Sequence, residues 1–231
     1  MIQHDFMLAE PFPHLVLDNF APEATLRAVA AGFDCVSPDA WVRYDDTDER
    51  GKSACNRVEA MPLACRDFIA ALSSQTAAKL CEWITGIDCL QPDATLYGGG
   101  LHVTERGGFL GVHLDNERHP QTGLARRLNL IVYCTEGWQE EWGGHFELWD
   151  RACTRPVKKI APLWNRAVLF ETSAHSFHGH SEPLNCPADM RRKSVAVYYW
   201  SEPRARARFF ARADDAHDAA KEAARLARSH A

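Results

Sequence analysis

From Ala94 onward the chain breaks into short apolar or alternating runs at 94–97, 101–104, 109–114, 128–134, 145–149, 157–160, 167–170 and 194–200. Glycine and proline stand between them, and runs of this kind predict eight short strands. No helix-length segment interleaves with the strands, as a parallel sheet requires, so the pattern points to an antiparallel sandwich or barrel.

The first ninety residues read differently. An extended lead-in over 11–20, with apolar Phe12, Leu15 and Leu17, turns at Asp18-Asn19. Helices are expected over 23–31, 62–72 and 74–84, with Pro22 at the first start and Gly86 at the last stop. The polar stretch 41–52 predicts an exposed loop. The tail 204–231, rich in Ala, Arg, Lys and Glu, predicts a C-terminal helix. No repeat, low-complexity tract or Gly/Ser linker divides the 231 residues. A single domain is expected: helical support over about 1–90, a β core over about 91–202 and the tail helix.

Composition narrows the partners. A net charge of -5 with mixed signs offers no basic field, so nucleic acid is not expected. No apolar run approaches the roughly 20 residues that span a bilayer, so no membrane is expected either. Residues 1–10 carry His4, Asp5 and Glu10 without an apolar core, unlike a signal peptide. Eight cysteines without a C-x-x-C pair read as reduced, mostly buried thiols and argue against a structural zinc site. The expected compartment is the cytoplasm. The sequence does not tell the oligomeric state.

Chemistry concentrates in the strand-rich half. Residues i and i+2 of a strand share a face, so His113 and Asp115 project together. His178 is the third candidate ligand, with His175 and His180 left open by spacing alone. Two imidazoles and one carboxylate on one side of a metal leave its other side free for a chelating co-substrate and O2, which suits non-haem Fe(II). Arg192 lies 14 residues beyond His178 and offers a guanidinium fork to the far end of a dicarboxylate. Alternation puts Arg191 and Lys193 on the opposite face and Ser194 on the same one.

Several blocks extend the pattern. They are Gly98-Gly99-Gly100-Leu101-His102, Gly107-Gly108-Phe109-Leu110 and His113-Leu114-Asp115-Asn116. Arg127-Leu128-Asn129-Leu130-Ile131-Val132-Tyr133 and Glu141-Trp142-Gly143-Gly144-His145-Phe146-Glu147-Leu148-Trp149 follow. The series closes with Ser176-Phe177-His178-Gly179-His180 and Arg192-Lys193-Ser194-Val195-Ala196-Val197-Tyr198-Tyr199. Over roughly 90–200 the chain resembles the 2-oxoglutarate/Fe(II)-dependent dioxygenases, in the branch with a prolyl-4-hydroxylase-like catalytic domain.

The resemblance implies a mainly β fold with flanking helices, built on a double-stranded β-helix (jelly roll). It implies His113, Asp115 and His178 as iron ligands and Arg192 with Ser194 as the site of the distal carboxylate. Fe(II), 2-oxoglutarate as co-substrate and O2 are the cofactors it brings. The implied reaction hydroxylates an unactivated C–H and releases succinate and CO2. Related halogenases replace the carboxylate with a small residue, so Asp115 favours hydroxylation. The substrate is expected to be a prolyl or other side chain of a peptide or protein, a free amino acid or another small molecule. A non-catalytic jelly roll that senses a metal or ligand is the alternative, opposed by the complete ligand set and Arg192.

Lesser candidates surround these. The Tyr97 hydroxyl is read either as a donor to the co-substrate or as a core group. Asn129 shares a face with Ile131 and Tyr133 and can contact the co-substrate or orient a ligand. His102 and Arg106 are read as mouth-lining or surface groups. Arg118, His119, Arg126 and Arg127 read as a solvated basic loop, and 41–52 and 117–125 as the segments that set specificity.

Overall fold

The computed structural model describes residues 2–203, so the expected C-terminal helix lies outside the described residues. In chain order the elements are α1 (Ile2–Met7), β1 (His14–Leu17), α2 (Glu23–Gly32), β2 (Val42–Tyr44), β3 (Glu49–Cys55), α3 (Leu63–Leu72) and α4 (Gln75–Thr85). Then come β4 (Gln91–Pro92), β5 (Gly100–His113), β6 (Ala125–Tyr133), β7 (Phe146–Trp149), β8 (Pro156–Ile160), β9 (Ala167–Glu171), β10 (His178–His180) and β11 (Arg192–Ser201). Among the described residues no helix is long and apolar enough to cross a membrane.

The strands pair in the order β1-β9-β6-β11-β5-β10-β7-β8, with antiparallel registers throughout. The 14-residue β5 is the pivot. Its first half pairs with β11 through Gly100–Thr104, and its last residues pair with β10 through Leu110 and His113. One sheet thereby curls over on itself into the jelly-roll half-barrel that the resemblance implied.

Alternation sorts the side chains. Leu128, Leu130 and Val132 of β6, with Val195, Val197 and Tyr199 of β11, face outward onto α2–α4 and form the larger core. Burying each such side chain contributes roughly 1.5–3 kcal/mol. Tyr133, Val168 and Phe170 face inward and meet Phe146, Leu148 and Ile160 of the opposing strands. The helices bury the outer face, which leaves the inner face free to carry polar groups.

The helices start and stop close to expectation. The Ser74 side chain caps α4 by accepting from Ala77 N, and Gly86 ends it at φ 72°. Three strand expectations need correction. Residues 41–52 do not form a loop: β2 and β3 make a hairpin that lies along β5. Their composition is polar because much of this ribbon stays exposed, so no apolar alternation marks it. Residues 94–97 are a turn rather than a strand, since the Asp93 carboxylate accepts from Thr95 N at 2.7 Å and Tyr97 N at 2.8 Å. Gly107-Gly108 does not separate two strands but sits within β5. A Cβ on Gly108 would stand 2.7 Å from Arg50 O, so the hairpin can approach only a glycine here.

Candidate active site

The β5–β10 register sets His113 directly across from His178 and brings their rings to 4.5 Å. Asp115 follows two residues past the end of β5. His178 Nε2 lies 3.5 Å from Asp115 Oδ2, and His113 Nε2 lies 4.0 Å from Asp115 Oδ1. One ligand atom from each of the three lies within 4.8 Å of the others. His175 is elsewhere, exposed and paired through Nε2 with Arg151 at 2.9 Å.

The ring orientations fit a metal. His113 Nδ1 is 2.9 Å from Gly111 O, and His178 Nδ1 is 2.8 Å from Ser176 O. A carbonyl only accepts, so each Nδ1 carries the proton and each Nε2 keeps its lone pair for a cation. Burial pulls the His178 pKa to about 4, against the upward pull of Asp115, and keeps it in the ligating form. Burial opposes the charge on Asp115, but His178, the Arg126 guanidinium, His113 and Asn129 outweigh it and hold the carboxyl below its usual value.

Both Asp115 oxygens are tied from behind. Arg126 Nη1 donates to Oδ1 at 2.8 Å, and Asn129 Nδ2 donates to Oδ2 at 2.7 Å. Arg126 is itself held against the Tyr198 ring at 4.0 Å and the Trp200 ring at 5.0 Å. Arg126 Nε and Asn129 Oδ1 are buried without a partner among the described residues.

The triad opens into a cavity of about 600 Å³ between the two layers. Arg192 and Ser194 line it from β11. Arg192 Nε donates to Gly144 O at 2.9 Å and Nη2 to the Tyr133 hydroxyl at 3.2 Å, which fixes the fork. Arg191 and Lys193 face the other way, where both engage Asp34. Thr47, Asp48 and Glu49, from the β2–β3 turn, form part of the rim.

The structure places the side chains for which the sequence left two readings. Tyr97 stands outside the cavity lining, its hydroxyl accepting from Asn116 Nδ2 at 3.2 Å and its ring packed on His119. Arg106 is exposed, within 3.4 Å of Asn185 Oδ1, whereas His102 lines the cavity. The basic stretch after the H-x-D pair is not uniformly solvated. His119 is buried, with Nε2 3.5 Å from Asp93, and Arg126 is buried against Asp115.

Sequence reasoning did not assign the places that Arg126, Tyr133 and His180 take in or beside the lining. Tyr133 shares the Asn129 face by plain alternation, and His180 shares that of His178. Arg126 carried no such signal, because the β6–β11 register shifts between Tyr199 and Trp200. That bulge turns Arg126 inward, where strict alternation from Asn129 would have placed Arg127.

Known proteins resemble the chain in sequence and fold. Residues 99–200 match the 2OG-Fe(II) oxygenase superfamily. The prolyl 3-hydroxylase OGFOD1 of Mus musculus is 32% identical over 202 residues, which cover 83% of this chain and 33% of that protein. The chain thus spans about a third of the length of this curated relative. Among solved structures, a Pseudomonas putida prolyl-4-hydroxylase superposes with a TM-score of 0.62 at 17% identity, covering 87% of this chain and 100% of the other. A Trichoplax adhaerens prolyl hydroxylase in complex with a hypoxia-inducible-factor peptide fragment gives 0.61 at 15%, covering 87% and 88%. A paired-imidazole and carboxylate face, a curled antiparallel half-barrel and these likenesses converge on the 2OG-Fe(II) oxygenase superfamily, which residues 99–200 of the chain match.

Proposed function

We propose that the chain is a hydroxylase acting on a prolyl residue of a peptide or protein, using 2-oxoglutarate and O2 and releasing succinate and CO2. The observation that carries this reading is one cavity with a metal-ready triad and the fixed Arg192 fork both on its lining. Prolyl chemistry is supported by the relatives, which are named prolyl hydroxylases, and a peptide partner by the complex of the Trichoplax enzyme.

His113, Asp115 and His178 would hold Fe(II), and Asn129 and Arg126 fix the carboxylate that would do so. The bound iron supplies the activation of O2 that is coupled to decarboxylation of the oxoacid. Arg192 would take the distal carboxylate of the co-substrate, with Ser194 beside it on the same strand face. The β2–β3 turn and Asn116 line the cavity where a peptide would enter. One oxygen atom of O2 goes to the prolyl carbon and the other to succinate, so no side chain needs to act as a general base.

The test is incubation with Fe(II), 2-oxoglutarate and an array of prolyl peptides, following succinate and a hydroxylated product together. Peptide-dependent succinate that Asp115→Ala abolishes supports the reading. Turnover that is equal in Asp115→Ala, or a product hydroxylated only at residues other than proline, sinks it.

A further inference from the structure

Strand β10 presents two histidines to the cavity, two residues apart, and the metal triad uses only one. His180 is 4% exposed and lines the same cavity as Arg192. Its Nδ1 is sealed from solvent and meets no partner among the described residues. A buried imidazole usually has a hydrogen bond, because leaving such a group unmade costs about 1–3 kcal/mol. The surroundings say what kind of partner is missing. Arg192 and Lys52 line the same cavity as His180. His102, on the neighbouring β5, adds a second unpartnered ring nitrogen, Nε2, to the same lining. This part of the cavity therefore holds Arg192, two imidazoles each with an unpartnered ring nitrogen among the described residues, and Lys52, which is paired with Glu49 at 2.6 Å. A carboxylate is the group that answers such a setting.

We propose that His180 is a positioning residue for the co-substrate, its ring N–H donating to the distal carboxylate that Arg192 holds. The inference rests on the 2-oxoglutarate reading of the site and deepens it. His180 would then give a preference for dicarboxylate over monocarboxylate oxoacids. Asp115, His113 and His178 would be untouched by its loss. Gly179 sets the spacing, because β10 passes so close to β5 there that a Cβ would lie 2.7 Å from Gly111 O.

The experiment is calorimetric titration of the full chain, loaded with Mn(II), with 2-oxoglutarate and separately with 2-oxobutyrate, which has the chelating head but no distal carboxylate. A hydrogen bond to a charged group corresponds to roughly tenfold or more in affinity. His180→Leu should weaken 2-oxoglutarate about tenfold while Mn(II) and 2-oxobutyrate binding stay within twofold of wild type. His180→Gln, which keeps an N–H, should recover most of the loss. Where His180→Leu does not fold, His180→Met is read in its place. Unchanged 2-oxoglutarate binding in the apolar variant overturns the assignment and leaves the wider reading standing, as does an equal loss for both oxoacids. Failure of the wild-type chain to bind 2-oxoglutarate overturns both.

Discussion

Arg126 Nη1 stands 2.8 Å from Asp115 Oδ1, so the carboxylate that faces the metal site is already one half of a buried ion pair. Arg126→Leu strands that charge. Breaking a buried pair costs about 3–5 kcal/mol, and urea unfolding of the metal-free chain should lose a comparable amount. The loss comes from an unpaired carboxylate, so Asp115→Asn in the same background should restore part of it. A double-mutant cycle should give a coupling of at least about 1 kcal/mol. Strictly additive losses would show that the pair contributes nothing jointly.

The same pair marks the limit of what the sequence displays. His113, Asp115, Asn129, Arg192 and Ser194 are legible because alternation along a strand is local, and the structure puts them on one cavity. Arg126 is not legible, because a bulge in β6 reverses its face and depends on the register of β11. The β2–β3 hairpin is equally hidden. A polar ribbon is held by backbone pairing with β5 and by a glycine contact at Gly108, neither of which leaves an apolar pattern. Which histidine completes the triad was open from spacing. The structure sets His178 across from His113 and groups both with Asp115.

Metal loading should appear in stability before any substrate is known. Mn(II) at about one hundred times its Kd stabilises a folded chain by roughly 2.7 kcal/mol. For a chain of this size that is a rise in Tm of about 5–10 °C, reversed by a chelator. Asp115→Ala should abolish the rise together with turnover. A variant that keeps the full rise would remove Asp115 from the metal site.

Arg192 serves through a shape as well as a charge. Its Nε and Nη2 are engaged by Gly144 O and the Tyr133 hydroxyl, so its orientation is set before any ligand arrives. Arg192→Ala should raise the apparent 2-oxoglutarate requirement about 100-fold, as expected for losing a bidentate charged contact. Arg192→Lys should recover little, since an ammonium cannot reproduce the fork. The Mn(II)-induced rise in Tm should persist in both variants. An unchanged requirement in Arg192→Ala would hand the role to Lys52, the other cation on that wall.

Gly179 separates the two inward histidines of β10 and sits where the strand passes closest to β5. A Cβ there would lie 2.7 Å from Gly111 O and 2.9 Å from Leu110 O, both backbone atoms that a side chain cannot push aside cheaply. Gly179→Ala must therefore move β10 away from β5. Overpacking of this kind costs about 1–3 kcal/mol, which urea unfolding would read directly. The displacement acts on the flanking residues, so His178 should lose its alignment with His113, and Mn(II) affinity should fall about tenfold or more. The link is specific to this position. Gly137, whose Cβ would meet nothing within 4 Å, has positive φ (73°), so Gly137→Ala serves as the comparison in which backbone strain lowers stability without touching metal affinity. Equal effects of the two substitutions on Mn(II) binding would show that the spacing of the two histidines does not depend on Gly179.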